Sequence, residues 1–166
     1  MDRRIFFRPE RCLLCQSCVL ACQLRSLGIS DVRRLPREKR PGQRIRVEVS
    51  RNTPWATRCQ HCLSAPCVEA CVTGSLIREE GHREVIHRRE TCIGCGSCLL
   101  VCPFGALSYE ADEEKMTKCD LCSDLEEPAC VEACQSGALL FQSSESMATE
   151  KKRVFARQFG RAHDRG

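Results

Sequence analysis

The side chains with chemistry to offer are thiols: 16 of the 166 residues are cysteine, and all of them fall into four quartets with none left over. The first is Cys12, Cys15, Cys18 and Cys22, spaced C-x2-C-x2-C-x3-C. The second is Cys59, Cys62, Cys67 and Cys71, with gaps of x2, x4 and x3. The third is Cys92, Cys95, Cys98 and Cys102, again x2, x2 and x3, with Pro103 following. The fourth is Cys119, Cys122, Cys130 and Cys134, with gaps of x2, x7 and x3. Each opens with C-x2-C and closes with C-x3-C. Only the middle gap varies, as it does when loops of different length are inserted into a repeated unit.

Three chemistries use thiols at this density. Disulfides suit exported scaffolds, yet residues 1–11 lack the apolar run of an export signal. Arg3-Arg4-Ile5-Phe6-Phe7 faintly resembles a twin-arginine leader, but Cys12 stands where its apolar segment should run. Zinc sites take two thiol pairs separated by a longer loop, which is not three thiols at x2 steps and a fourth after x3. Iron–sulfur chemistry fits best, because C-x2-C-x2-C-x3-C-P is the run that holds bacterial [4Fe–4S] clusters. Cys92 to Pro103 matches it in full, and Cys12 to Cys22 matches except that Gln23 replaces proline. The x2 steps let a tight loop wrap a cubane with backbone N–H groups facing sulfur. The x3 step begins a helical turn and sends the fourth thiolate to a neighbouring cluster. Quartets must therefore pair.

The elements that position these thiols are short and repeated. Val72-Thr73-Gly74-Ser75-Leu76, Pro103-Phe104-Gly105-Ala106-Leu107 and Gln135-Ser136-Gly137-Ala138-Leu139 each follow a quartet. Each places a glycine where a helical turn can end in a left-handed conformation, then a leucine that opens a strand. After the first quartet, Gln23-Leu24-Arg25-Ser26-Leu27 lacks that glycine, so its exit feeds a different element. Strands are expected at Ile5–Phe7, Ile45–Val49, Glu84–His87, Leu107–Glu110 and Leu139–Phe141. Single helical turns are expected at Val19–Ala21, Val68–Ala70, Leu99–Val101 and Val131–Ala133. The pattern is α+β, a ferredoxin-like unit doubled.

One Trp, one Tyr and six Phe are too few for a large aromatic core. Iron and sulfide should take its place, so the metal-free chain is expected not to fold. No stretch approaches the roughly 18 uninterrupted apolar residues of a membrane span, and no direct membrane insertion is expected. Sixteen thiolates satisfy four cubanes, which leaves no open iron for substrate and no thiol for nucleophilic catalysis. There is no dinucleotide, P-loop or flavin fingerprint. The expected role is one-electron transfer, with no catalytic residue. His61, between two candidate ligands, is read as a surface-facing loop residue in preference to a tuner of potential. Arg58 and Lys118 directly precede Cys59 and Cys119 and either raise cluster potentials or form a solvated flank.

Charge is segregated. Residues 1–58 carry 14 basic against 5 acidic groups, residues 59–142 carry 6 against 14, and residues 143–166 carry 6 against 3. The densest basic run, Arg33 to Arg40, lies in the insertion 28–50. Without a recognition motif or interleaved aromatics it reads as a docking surface for an acidic partner or a solvated loop, and no nucleic-acid partner is expected. In the tail, Phe155 and Phe159 stand four apart among basic residues, a possible helix that orders on a partner.

The quartet spacings, with Cys59-Gln60-His61-Cys62, Ala65-Pro66-Cys67-Val68-Glu69-Ala70-Cys71, Lys118-Cys119-Asp120-Leu121-Cys122 and Pro128-Ala129-Cys130-Val131-Glu132-Ala133-Cys134, resemble four-cluster iron–sulfur electron-transfer subunits of bacterial and archaeal oxidoreductases. Such subunits serve DMSO reductase, formate dehydrogenase, formate hydrogenlyase, CO dehydrogenase and tungsten aldehyde oxidoreductase. The resemblance covers about residues 3–141. It implies four [4Fe–4S] clusters, the first on Cys12, Cys15, Cys18 and Cys134 and the second on Cys22, Cys119, Cys122 and Cys130. The third would take Cys59, Cys62, Cys67 and Cys102, and the fourth Cys71, Cys92, Cys95 and Cys98. It also implies an outer dicluster module (1–54 plus 111–142), an inner one (55–110) and a tail (143–166). The partner expected is a catalytic oxidoreductase subunit of CO dehydrogenase or aldehyde oxidoreductase type. A formate dehydrogenase or hydrogenase complex is the alternative, or a free polyferredoxin shuttle. A flavin-containing NAD(P) reductase is expected as a second partner, and the setting as cytoplasmic, in anaerobic metabolism.

Overall fold

A computed structural model of the chain describes residues 3–36 and 42–163. Arg37 to Arg40, the second half of the basic run, lie outside the described residues. In chain order the regular elements are β1 (Arg3–Phe7), α1 (Ser17–Ser26), β2 (Ile45–Ser50), β3 (Thr53–Arg58), α2 (Pro66–Glu69) and β4 (Leu76–Ile77). There follow β5 (Ile86–His87), α3 (Ser97–Val101), β6 (Leu107–Glu110), β7 (Lys115–Lys118), α4 (Ala129–Glu132), β8 (Leu139–Ser143) and α5 (Ser144–His163). Short 3-10 turns at Pro9–Arg11 and Arg89–Thr91 lead into the first and third quartets. The class is α+β, as expected.

The strands pair two by two, all antiparallel: β1 with β8, β2 with β3, β4 with β5, and β6 with β7. The strand before the first quartet thus pairs with the strand after the fourth, Ile5 lying opposite Phe141. The strand before the third quartet pairs with the strand after the second, Leu76 lying opposite His87. The other two sheets are hairpins that connect one quartet to the next. In the β2–β3 hairpin Arg51 and Asn52 have φ of 47° and 63°. They form the two-residue turn whose twist suits a hairpin.

Where sequence and structure differ, the causes are local. The strand expected over Glu84–His87 narrows to Ile86–His87. β3 was not expected, because Pro54 disguises it; the proline sits one residue inside the strand, opposite Val49. β7 was hidden by its lysines, although Met116 and Thr117 between them are buried. α1 runs ten residues instead of one turn. No glycine stops it after Cys22, whereas Gly74, Gly105 and Gly137 stop the other turns at φ of 64°, 57° and 64°.

The core is thin and sulfur-rich. One cluster gathers Ile5, Val19, Ile45, Val47, Leu121, Val131 and Leu139 around Cys18, Cys59, Cys119 and Cys130. The other gathers Leu76, Val85, Leu107 and Met116 around Cys98. The largest fully buried side chains are Val85, Thr117 and Pro128, with no aromatic among them. The tail is a helix: Ser143 Oγ accepts the Ser146 N–H at 3.1 Å, Met147 is buried, and Arg8 pairs with Glu150. Phe155 and Phe159 remain exposed, their ring centroids 6.0 Å apart. Among the described residues no helix is long and apolar enough to cross a membrane.

Candidate metal centre

Each C-x2-C step is built the same way. The residue before the second cysteine is left-handed in all four quartets: Leu14 at φ 57°, His61 at 49°, Gly94 at 67° and Leu121 at 60°. For a non-glycine residue this costs about 1 kcal/mol, and such strain persists where the surroundings impose it. It turns successive N–H groups toward one concave side, which suits an anion. Sequence spacing alone conceals this, since leucine and histidine carry no left-handed signal.

The closing cysteines receive N–H donors from the segments that follow them. Leu76 N–H donates to Cys71 Sγ at 3.4 Å, Ala106 N–H to Cys102 Sγ at 3.4 Å and Leu139 N–H to Cys134 Sγ at 3.3 Å. Ser75 Oγ lies 3.2 Å from Cys71 Sγ. These contacts stabilise a thiolate. Burial works to raise the Cys71 thiol, but Ser75, the Leu76 N–H and Thr73 outweigh it and bring it down to about 7.

The fold brings thiols of different quartets together. Burial, then Cys134, pushes the Cys18 thiol up to about 11, with Cys15 adding to it. Cys12 packs against the same core. Burial and Cys119 push Cys22 up to about 12, with Arg44 acting against them and Cys122 with them. Cys130 is raised by burial and by Cys119, Cys22 and Cys122. Burial raises Cys62 and Cys67, and both feel Cys59 and Cys102. Cys98 is pushed to about 11 by burial, then Cys71, Cys67, Cys92 and Cys95. An apolar cavity is lined by Cys59, Cys62, Cys67 and Cys102, together with Pro66, Val85 and Leu107. All 16 thiols are free of disulfides.

This donor chemistry fits a cubane. Thiols gather in groups, backbone N–H groups face sulfur, and the cavity wall is apolar. Among the described residues no three His, Cys, Asp or Glu groups are gathered as a single ion requires. A cubane, with an iron at each of four corners, holds its thiolates further apart than one ion does.

The structure corrects the reading of His61. It is 3% exposed, and its Nδ1 accepts the Val85 N–H at 3.0 Å. Burial, with the charges of Lys118, Arg58 and Arg78, pushes it down to about 2, so it is neutral. The solvated-flank alternative for Arg58 and Lys118 also fails, since both are buried. Their place directly before a C-x2-C in the second and fourth quartets was the signal available in sequence.

Small antiparallel sheets carrying repeated cysteine turns define a class of iron–sulfur electron carrier. The chain belongs to the 4Fe–4S dicluster domain family, whose model matches residues 53–144. It is 34% identical, over 96% of its length and 100% of the relative's, to the electron transport protein HydN of Escherichia coli (strain K12). It is 36% identical to the putative electron transport protein YsaA of the same strain, over 92% of this chain and 98% of that one. The formate dehydrogenase-O iron–sulfur subunit of that strain is 36% identical over 62% of this chain and 37% of its own. The chain is thus an electron-transfer iron–sulfur protein, not a catalytic subunit.

Proposed function

We propose that the chain carries four [4Fe–4S] clusters and passes single electrons between a catalytic oxidoreductase subunit and a second redox partner. The observation that supports the reading is that each closing cysteine lies within electrostatic reach of thiols in another quartet. Cys134 stands by Cys18, Cys22 by Cys119 and Cys122, Cys102 by Cys62 and Cys67, and Cys71 by Cys98. The ligand sets are Cys12, Cys15, Cys18 and Cys134; Cys22, Cys119, Cys122 and Cys130; Cys59, Cys62, Cys67 and Cys102; and Cys71, Cys92, Cys95 and Cys98. The pairing of β1 with β8 and of β4 with β5 supports an outer module from 1–54 and 111–142 and an inner one from 55–110. Bound cubanes supply one-electron storage. The chain's own residues hold them, aim N–H groups at sulfur and exclude water from the inner thiols.

For the partner, the relatives support the formate dehydrogenase reading over CO dehydrogenase or aldehyde oxidoreductase. They lend no support to a flavin reductase. The setting proposed is cytoplasmic. The deciding measurement is iron and acid-labile sulfide on protein purified without oxygen. About sixteen irons per chain are expected; about eight would leave a two-cluster protein, and stoichiometric zinc would refute the reading. Migration of the native protein alone at its own mass would refute the subunit role.

A further inference from the structure

Two cations lie where cations are seldom tolerated. Arg58 is 7% exposed and Lys118 is 4% exposed. Each is the last residue of a hairpin's second strand, β3 or β7, and each directly precedes the first cysteine of a quartet. Arg58 Nη1 donates to the Cys59 carbonyl at 3.0 Å and Nη2 to the Ile5 carbonyl. Lys118 Nζ donates to the carbonyls of Val85 and Cys119 at 2.5 and 2.6 Å. Among the described residues neither cation pairs with a carboxylate. The equivalent residues of the first and third quartets, Arg11 and Thr91, are exposed.

Stripping a cation of water costs more than a few carbonyl dipoles return, so a buried one is expected beside anions. The anions within reach are thiolates. Arg58 acts on Cys119, Cys130 and Cys59, and Lys118 on Cys119 and Cys67. These four cysteines belong to the second and third ligand sets proposed above. Cys59 of the third set acts on Cys119 of the second, so these two sets, one from each module, adjoin as the central pair, and both cations face the seam between them.

We propose that Arg58 and Lys118 are built-in counter-charges for the two central clusters, holding their reduction potentials above those of the outer two, so that an electron delivered by the catalytic partner rests in the middle of the chain. The inference rests on the four-cluster reading. The electron adds one negative charge to a cluster, and a fixed cation beside it favours that reduced state.

The test is a redox titration of the oxygen-free, fully loaded protein, followed by electron paramagnetic resonance. Its variants are Arg58→Gln, Lys118→Gln, the charge-keeping Arg58→Lys and Lys118→Arg, and Arg11→Gln as the exposed control. Each glutamine variant at buried positions should lower the reduction equilibrium of the highest-potential pair at least tenfold, about 59 mV for a one-electron couple. The charge-keeping variants and Arg11→Gln should stay near wild type. Unchanged potentials in fully loaded glutamine variants would overturn the assignment. If those variants lose iron instead, retention of iron in the charge-keeping variants still supports it, and iron loss in both kinds overturns it. A wild-type chain with fewer than four clusters would overturn the underlying reading, and iron analysis reveals that before any variant is compared.

Discussion

The first and third quartets share their opening and closing spacings with the second and fourth, but not their surroundings. The first and third are entered from 3-10 turns at Pro9–Arg11 and Arg89–Thr91. Their second cysteines, Cys15 and Cys95, are exposed, beside Leu13 at 75% and Ile93 at 65% exposure. Hydrogen bonds from Ser17 and Ser97 hold those thiols below the ordinary range. The second and fourth quartets are entered from β3 and β7, each ending in a buried cation. Cys59, Cys119, Cys122 and Cys130 are buried, and burial pushes Cys119 up to about 11. One ligand motif thus serves two environments. The x2 middle gap leaves the loop as its own rim, open to a partner. The longest gap, in the fourth quartet, leads into a fully buried Pro128 just before the buried Cys130, whereas the x4 gap of the second leaves Leu63 exposed and Cys62 and Cys67 half-buried.

Removing iron should erase the contrast altogether. Chelation is expected to unfold the chain, because the buried thiols lose what they were buried against; a native-like circular dichroism spectrum afterwards would refute this. Next in size, Cys119→Ser should release about four irons per chain. Cys15→Ser, at an open rim where serine or water can substitute, should release fewer. Equal losses would break the comparison.

Smaller effects come from the left-handed positions. A Cβ at Gly94 would stand 2.0 Å from the Glu114 carbonyl oxygen, so Gly94→Ala should destabilise by about 2 kcal/mol. Leu14→Gly relieves a strained φ against the added freedom of glycine in the unfolded chain and should fall within about 1 kcal/mol of wild type. Thermal midpoints of the loaded protein separate the two. The smallest effect is expected at the surface pair Arg25–Asp124. The Arg25 guanidinium holds the Asp124 carboxyl below its usual range. The stabilisation is therefore present above the ordinary carboxylate range and fades as pH falls through the lowered value. Asp124→Asn should lower the midpoint slightly at neutral pH, and the difference should shrink at high salt.

The cysteine spacing made the chemistry legible, because x2 and x3 steps are dictated by the shape of a cubane. The glycines at 74, 105 and 137 were legible for the same reason: a left-handed residue must end each turn. What escaped was set by tertiary contact. Burial of His61, Arg58 and Lys118 depends on two quartets closing over them from distant parts of the chain. Pro54 and the lysines of β7 mislead because a two-stranded sheet leaves one edge of each strand free, so a proline can sit in it.

The pairing of β1 with β8 joins Arg3 to Ser143, and that seam has a consequence for biosynthesis. Cys59 to Cys102 emerge within one stretch of polypeptide, and β4 can meet β5 while the rest is still being made. The seam of β1 with β8 cannot close until residue 143 has left the ribosome. The first quartet is therefore made well before the strand that closes against β1, and its thiols wait for that seam until residue 143 has emerged.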